Sequence, residues 1–207
     1  DRKSNVAPDA VIIEGPKAGG HLGFKTEELQ AETSDRNKSN YDLEIMKIIT
    51  LIKDYEEKYK RKIPAIIAGG IDTKADMEHV FSLGAQGVQV GTKFIPTKEC
   101  DANIRYKEAY LNVKDEDLLI IKSPVGMPGR AIKNDLIEKT LEGRIPIKRC
   151  SNCIITCDPK TTPYCITDAL IAAAEGDVDN GLLFCGAKVS NMPKIRTVKE
   201  VLDDFFS

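Results

Sequence analysis

Residues that could do chemistry gather at a few places in this chain. The first is Ile12-Ile13-Glu14-Gly15-Pro16-Lys17-Ala18-Gly19-Gly20-His21-Leu22-Gly23-Phe24. An apolar run, Val11 to Ile13, ends in the carboxylate of Glu14, and glycines then surround His21. Glycines let the backbone approach a ligand with no Cβ in the way. A histidine is the side chain whose unperturbed pKa suits proton transfer near neutral pH. Glu14 could accept from a glycine N–H, orient His21 or pair with Lys17.

Two further glycine motifs follow. Ala68-Gly69-Gly70-Ile71 sits where an apolar run gives way to a helical pattern, and Gln89-Val90-Gly91-Thr92 repeats the arrangement one unit later. Bare N–H groups at a strand-to-helix turn favour an anion, and the helix dipole adds to the potential. Two such turns side by side would cradle one phosphate. The fourth place is Cys150-x₂-Cys153-x₃-Cys157-x₇-Cys165. Zinc or an iron–sulfur cluster would need four thiolates converging there. The expectation is reduced thiols with no metal.

The elements that must position these residues follow from periodicity. Residues 11–14 read as a strand buried on both faces. Residues 25–40 are polar without period, a surface loop or lid. Ile45, Ile48, Ile49 and Ile52 predict a helix over 41–60. Residues 63–68 form a strand, a helix capped by Asp72 or Thr73 runs to Leu83, and 87–90 form a third strand. Alternating strands and helices predict a parallel sheet with helices outside and ligands at the strands' C-terminal ends. Beyond Thr92 the pattern predicts a strand at 118–122 and a turn-rich loop at 123–130, with Arg130 at the surface. Helices follow at 135–141 after Asn134, at 166–174 before Gly176, and from Thr197 to Phe206.

At 207 residues the chain can bury a substantial core. Hydrophobic content of 42% and charged content of 30% indicate a globular protein rather than a disordered one. A formal net charge of −2 gives no reason to expect nucleic acid. No apolar run is long enough for a membrane span. The polar start, Asp1-Arg2-Lys3-Ser4-Asn5, lacks a signal peptide's apolar stretch, so a cytoplasmic location is expected. His79, within a helical pattern, is expected at the surface, and Cys100 and Cys185 as packing residues.

These motifs together resemble the flavin-dependent nitronate monooxygenases, once called 2-nitropropane dioxygenases, and the related type II enoyl-acyl-carrier-protein reductases. Glu14 to Gly23 matches the Glu-Gly-x-x-Ala-Gly-Gly-His-x-Gly that carries the active-site histidine there. Ala68-Gly69-Gly70-Ile71, the Gly-Val-Gln-x-Gly-Thr-x-Phe of residues 87–94 and Glu99-Cys100-Asp101-Ala102 look like the FMN-binding half. Ser123-Pro124-x-Gly126-x-Pro128-Gly129-Arg130 looks like a later loop, with departures in detail. The resemblance implies the C-terminal part of a (β/α)₈ TIM barrel. Residues 1–95 would be the partial FMN-binding barrel and 96–207 an α-rich extension with the cysteines. Only three barrel strands are evident where a closed barrel needs eight, so the others are expected before Asp1. It further implies FMN held by Glu14, Ala18, Gly19, Gly20, Gly69, Gly70, Gln89, Val90, Gly91 and Thr92. His21 would be catalytic on a small-molecule substrate, an alkyl nitronate oxidised with O₂, and a homodimer is expected. An enoyl thioester reduced with NAD(P)H is the alternative substrate. A non-catalytic, phosphate-binding barrel fragment is the alternative of another class.

Overall fold

A computed structural model describes residues 6–30, 35–111, 113–155 and 157–207. The fold is α/β, built on two three-stranded sheets. The first sheet contains β1 (Val11–Glu14), β3 (Ala65–Ala68) and β4 (Gly87–Gln89) in the order β1-β3-β4, all parallel. The crossovers are α2 (Asp35–Tyr59) and α3 (Lys74–Ser82), as the alternation predicts. Ile45, Ile49 and Ile52 of α2 pack with Ile63 and Ile67 around β3, and Ile45 and Ile67 are fully buried. Thr73 caps α3 with a reciprocal capping box to Asp76, so two N–H groups that a helix start leaves orphaned are satisfied.

Two expectations about this half are corrected. β1 is not buried on both faces, because Ile12 is 55% exposed and Glu14 is exposed, while Ile13 is 6% exposed. β1 pairs with β3 on one side and lies at the sheet's edge. Residues 25–40 are not simply a loop. They hold α1 (Thr26–Gln30), and α2 begins at Asp35. Once the isoleucine stripe has nucleated a helix, extending it through polar residues costs little, and those residues leave no periodic signal. Residues 31–34 of the expected loop lie outside the described residues.

The second sheet has the order β2-β6-β5 and is antiparallel. It contains β2 (Gly20–His21), β5 (Leu118–Lys122) and β6 (Pro128–Ile132). The loop expected at 123–130 is a tight turn through Gly126 followed by β6. Its Pro128-Gly129 start reads as turn chemistry in the sequence. Gly129 serves a different need, since a Cβ there would meet the Phe184 ring at 2.8 Å. The β2–β6 pairing joins the segment around His21 to residues beyond the 95/96 division expected from the sequence.

The remainder carries further helices joined by irregular stretches. α4 spans Ile104–Ala109, and α5 spans Asp135–Glu142 with Asn134 as its cap. α6 spans Ile166–Glu175 and ends at left-handed Gly176, and α7 spans Val198–Phe206 with Thr197 as its cap. Val201 and Phe205 of α7 pack on Met77 of α3. Among the described residues no helix is long and apolar enough to cross a membrane.

Candidate active site

The C-terminal ends of β1, β3 and β4 open side by side onto a cleft of about 420 Å³. Glu14, Ala18, Gly19, Gly20, Gly69, Gly70, Gln89, Val90, Gly91 and Thr92 all line it. Gly69 and Gly70 have φ of +89° and +75°, and a Cβ on Gly69 would meet the Ala18 backbone nitrogen at 2.7 Å. The β3 turn and the Gly-rich loop can approach this closely only without that Cβ. Gly91 differs, because a Cβ there would stand in open space. Among the described residues nothing accepts from the backbone N–H of Gly69, Gly70 or Gly91. Uncommitted donors at two adjacent turns fit an anion.

The far wall comes from residues that sequence reasoning did not single out: Phe184 and Gly186 to Val189. Thr92 Oγ1 accepts from the Gly186 N–H at 2.8 Å, and the Lys17 carbonyl accepts from the Ala187 N–H at 3.1 Å. Lys188 reaches Asp76 Oδ1 at 2.6 Å, which fastens this wall to α3. Burial would push the Asp76 carboxyl up, but Lys188, the Asp72 N–H and Thr73 hold it at about 2. Lys93 also lines the cleft and pairs with Asp72 and Asp204. Glu14 and Lys17 both line the cleft.

His21 lies beside the cleft and not in its lining. Its ring packs edge-on against Phe184 with centroids 4.9 Å apart. Its Nε2 is 2.6 Å from Oγ of Ser123, a residue only 2% exposed on the β5–β6 turn. Burial lowers the His21 pKa from its ordinary 6.5, which favours the neutral ring. The sequence quoted Ser123 within a loop motif, but nothing in it placed that hydroxyl on His21.

Arg130 is corrected from a surface residue to a buried one, 8% exposed. Its Nη1 donates to the carbonyls of Pro16, at 2.9 Å, and Ala18, at 2.6 Å, and so holds the Gly-rich loop against β6. His79 is partly exposed and 3.1 Å from Asp42, away from the cleft. Cys185 is buried, and burial pushes its thiol up to about 12, which makes it a packing residue.

Residues 3–207 match the family described as nitronate monooxygenase. A probable nitronate monooxygenase of Staphylococcus haemolyticus is 36% identical over 141 residues, covering 67% of this chain and 36% of that protein. One from Staphylococcus aureus is 32% identical over 140 residues, with the same coverage. Among solved structures, FabK from Thermotoga maritima superposes with a TM-score of 0.65 at 26% identity, covering 96% of this chain and 53% of that one. A nitroalkane oxidase from Streptomyces ansochromogenes superposes with a TM-score of 0.63 at 20% identity, covering 96% and 50%, and supports the fold alone. The chain thus spans about a third of the length of the curated relatives it matches and about half of the solved ones. With the glycine turns, the His21 segment and the tail all inside the matched range, the chain belongs to the nitronate monooxygenase family.

Proposed function

We propose that the cleft binds FMN through its phosphate and that the complete protein oxidises alkyl nitronates with O₂. In this reading residues 1–95 supply the phosphate-binding part of a (β/α)₈ barrel. The observation that carries it is the set of uncommitted N–H groups of Gly69, Gly70 and Gly91 around one cleft, with the His21–Ser123 pair at its flank. A volume of about 420 Å³ lies within the range of cofactor sites. Lys17 adds positive charge beside Gly70, and Thr92 can still donate its hydroxyl proton after accepting from Gly186.

Bound FMN would take electrons from the substrate and return them to O₂, which no side chain can do. The chain positions and deprotonates. In the tautomer that donates Nε2–H to Ser123 Oγ, the lone pair lies on Nδ1, which would then be the base for the α-proton of a neutral nitroalkane. Phe184, which lines the cleft, packs against this ring.

Gly91→Asp tests the cleft. The site is open and Gly91 has φ −119°, which any residue adopts, so the fold should survive while a carboxylate enters the anion cradle. Flavin titration should show affinity lost with unchanged circular dichroism. Unchanged affinity would overturn the cleft assignment. Turnover of an enoyl thioester with NAD(P)H, and none of nitronate, would overturn the substrate while leaving the flavin.

A further inference from the structure

Between α5 and α6 the described residues from Gly143 to Cys165 contain neither helix nor strand. Irregular stretches longer than about 15 residues are uncommon in compact domains unless they serve a function. The middle of this one has little apolar anchorage. Ile145 and Ile154 are only partly buried, and Ile155 is fully exposed. Yet Cys150, Cys153, Cys157 and Cys165 all line one small cavity of about 20 Å³, closed by Ile147 and the start of α6. These cysteines come from an irregular segment and a helix start, and no disulfide joins them.

Polar groups lie close to these sulfurs. Only two described non-glycine residues have positive φ. Lys60 ends a helix. Asn152, at φ 52°, has no helix to end; its turn brings its N–H to within 3.4 Å of Cys150 Sγ. Cys165 is the N-cap of α6. Cys153 Sγ lies 3.1 Å from Thr167 Oγ1 in the first turn of the same helix. A backbone N–H thus faces Cys150 Sγ and a hydroxyl faces Cys153 Sγ, polar neighbours of the kind that ligating sulfurs keep.

We propose that Cys150, Cys153, Cys157 and Cys165 form a tetrathiolate site for a thiophilic metal, which staples the 143–165 segment to α6. The cavity has room for one ion, as in a zinc-class structural centre. Among the described residues no three candidate ligands already lie within reach of a single ion. Closure therefore needs sulfur rotamers and the irregular segment to shift, and the helices stay in place. Ligation needs deprotonated thiols, so binding should release protons and weaken in acid. The site is remote from the cleft and independent of the flavin reading.

The test is metal analysis of the full chain purified without oxygen, followed by cobalt(II) titration of the stripped protein. Zinc near one per chain, or a sulfur-to-cobalt charge-transfer band, supports the site. Iron with acid-labile sulfide would overturn the single-ion site and assign a cluster in its place. Binding should vanish in a Cys153→Ser/Cys157→Ser double variant and persist in Cys100→Ser, with circular dichroism confirming that both fold. Neither native metal nor cobalt binding by the folded chain overturns the proposal, as does full retention of metal in the double variant. Disulfides among these four cysteines in protein kept anaerobic would overturn it equally.

Discussion

His21 and Ser123 meet across a sequence separation of 102, and the pair sets what the site can do. The neutral ring is a base only while unprotonated. Its pKa is lowered by burial from 6.5, so the acid limb of a pH–rate profile should fall below that value. Proton transfer by a positioned side chain is worth roughly 10² to 10⁴ in rate. In the complete protein His21→Ala should therefore slow turnover of a neutral nitroalkane by about that factor. The loss should be smaller with the preformed nitronate, which has no α-proton to give up. Steady-state rates on both substrates check this, with flavin absorbance as the control. Equal, small losses would leave His21 as a packing partner of Phe184. At this scale the sequence displayed His21 and the glycines, because residue type and local order carry them. It could not display Ser123, Phe184 or the burial of Arg130, since each acts through a contact formed only when distant segments fold together.

At the scale of elements, the two glycine turns look alike in sequence and differ in what they demand. Gly69 is left-handed and pressed against Ala18, whereas Gly91 faces open space. Gly69→Ala should cost roughly 1–2 kcal/mol for conformation alone, with more for the contact. Gly91→Ala should stay within about 0.5 kcal/mol of the parent. Denaturant midpoints at constant slope decide between them, and equal costs would show that the β3 turn relaxes freely. The parallel sheet and its crossover helices were legible because isoleucine spacing and Thr73 capping are local signals. The early start of α2 and the whole of β6 were not. Polar helical residues leave no period, and Pro128-Gly129 carries turn chemistry even though the strand is held by its neighbours.

Across the whole molecule, charge pairs fasten the cleft's outer parts to one another. Arg196, with Lys93, holds Asp204 at about 2 against the opposing effect of burial, and Asp76 sits at about 2 as well. Both carboxyls lie below their ordinary 3.8, so the folded state binds their protons less readily than the unfolded chain. Their stabilisation is present above that ordinary value and is lost as pH falls through about 2. Acid titration of thermal stability should show a steep loss in that window. Asp204→Asn should reduce the slope, and an unchanged slope would mean that other carboxylates carry the acid sensitivity. None of this was readable beforehand, because Lys188, Arg196 and Asp204 are ordinary surface types until folding brings them to partners.

Lys93 belongs to two structures at once. It lines the cleft, its Nζ lies 3.3 Å from Asp204 of α7 and it also sits 5.2 Å from the centre of the Phe205 ring. An anion in the cleft must therefore compete with the last helix for the same ammonium, or share it. Binding and helix docking are then thermodynamically linked, and the linkage is reciprocal. If the anion draws the ammonium away, α7 should exchange its amide hydrogens faster in ligand-saturated protein; if both share it, more slowly. Only identical exchange in the two states would mean that the cleft and the chain's final turn do not communicate.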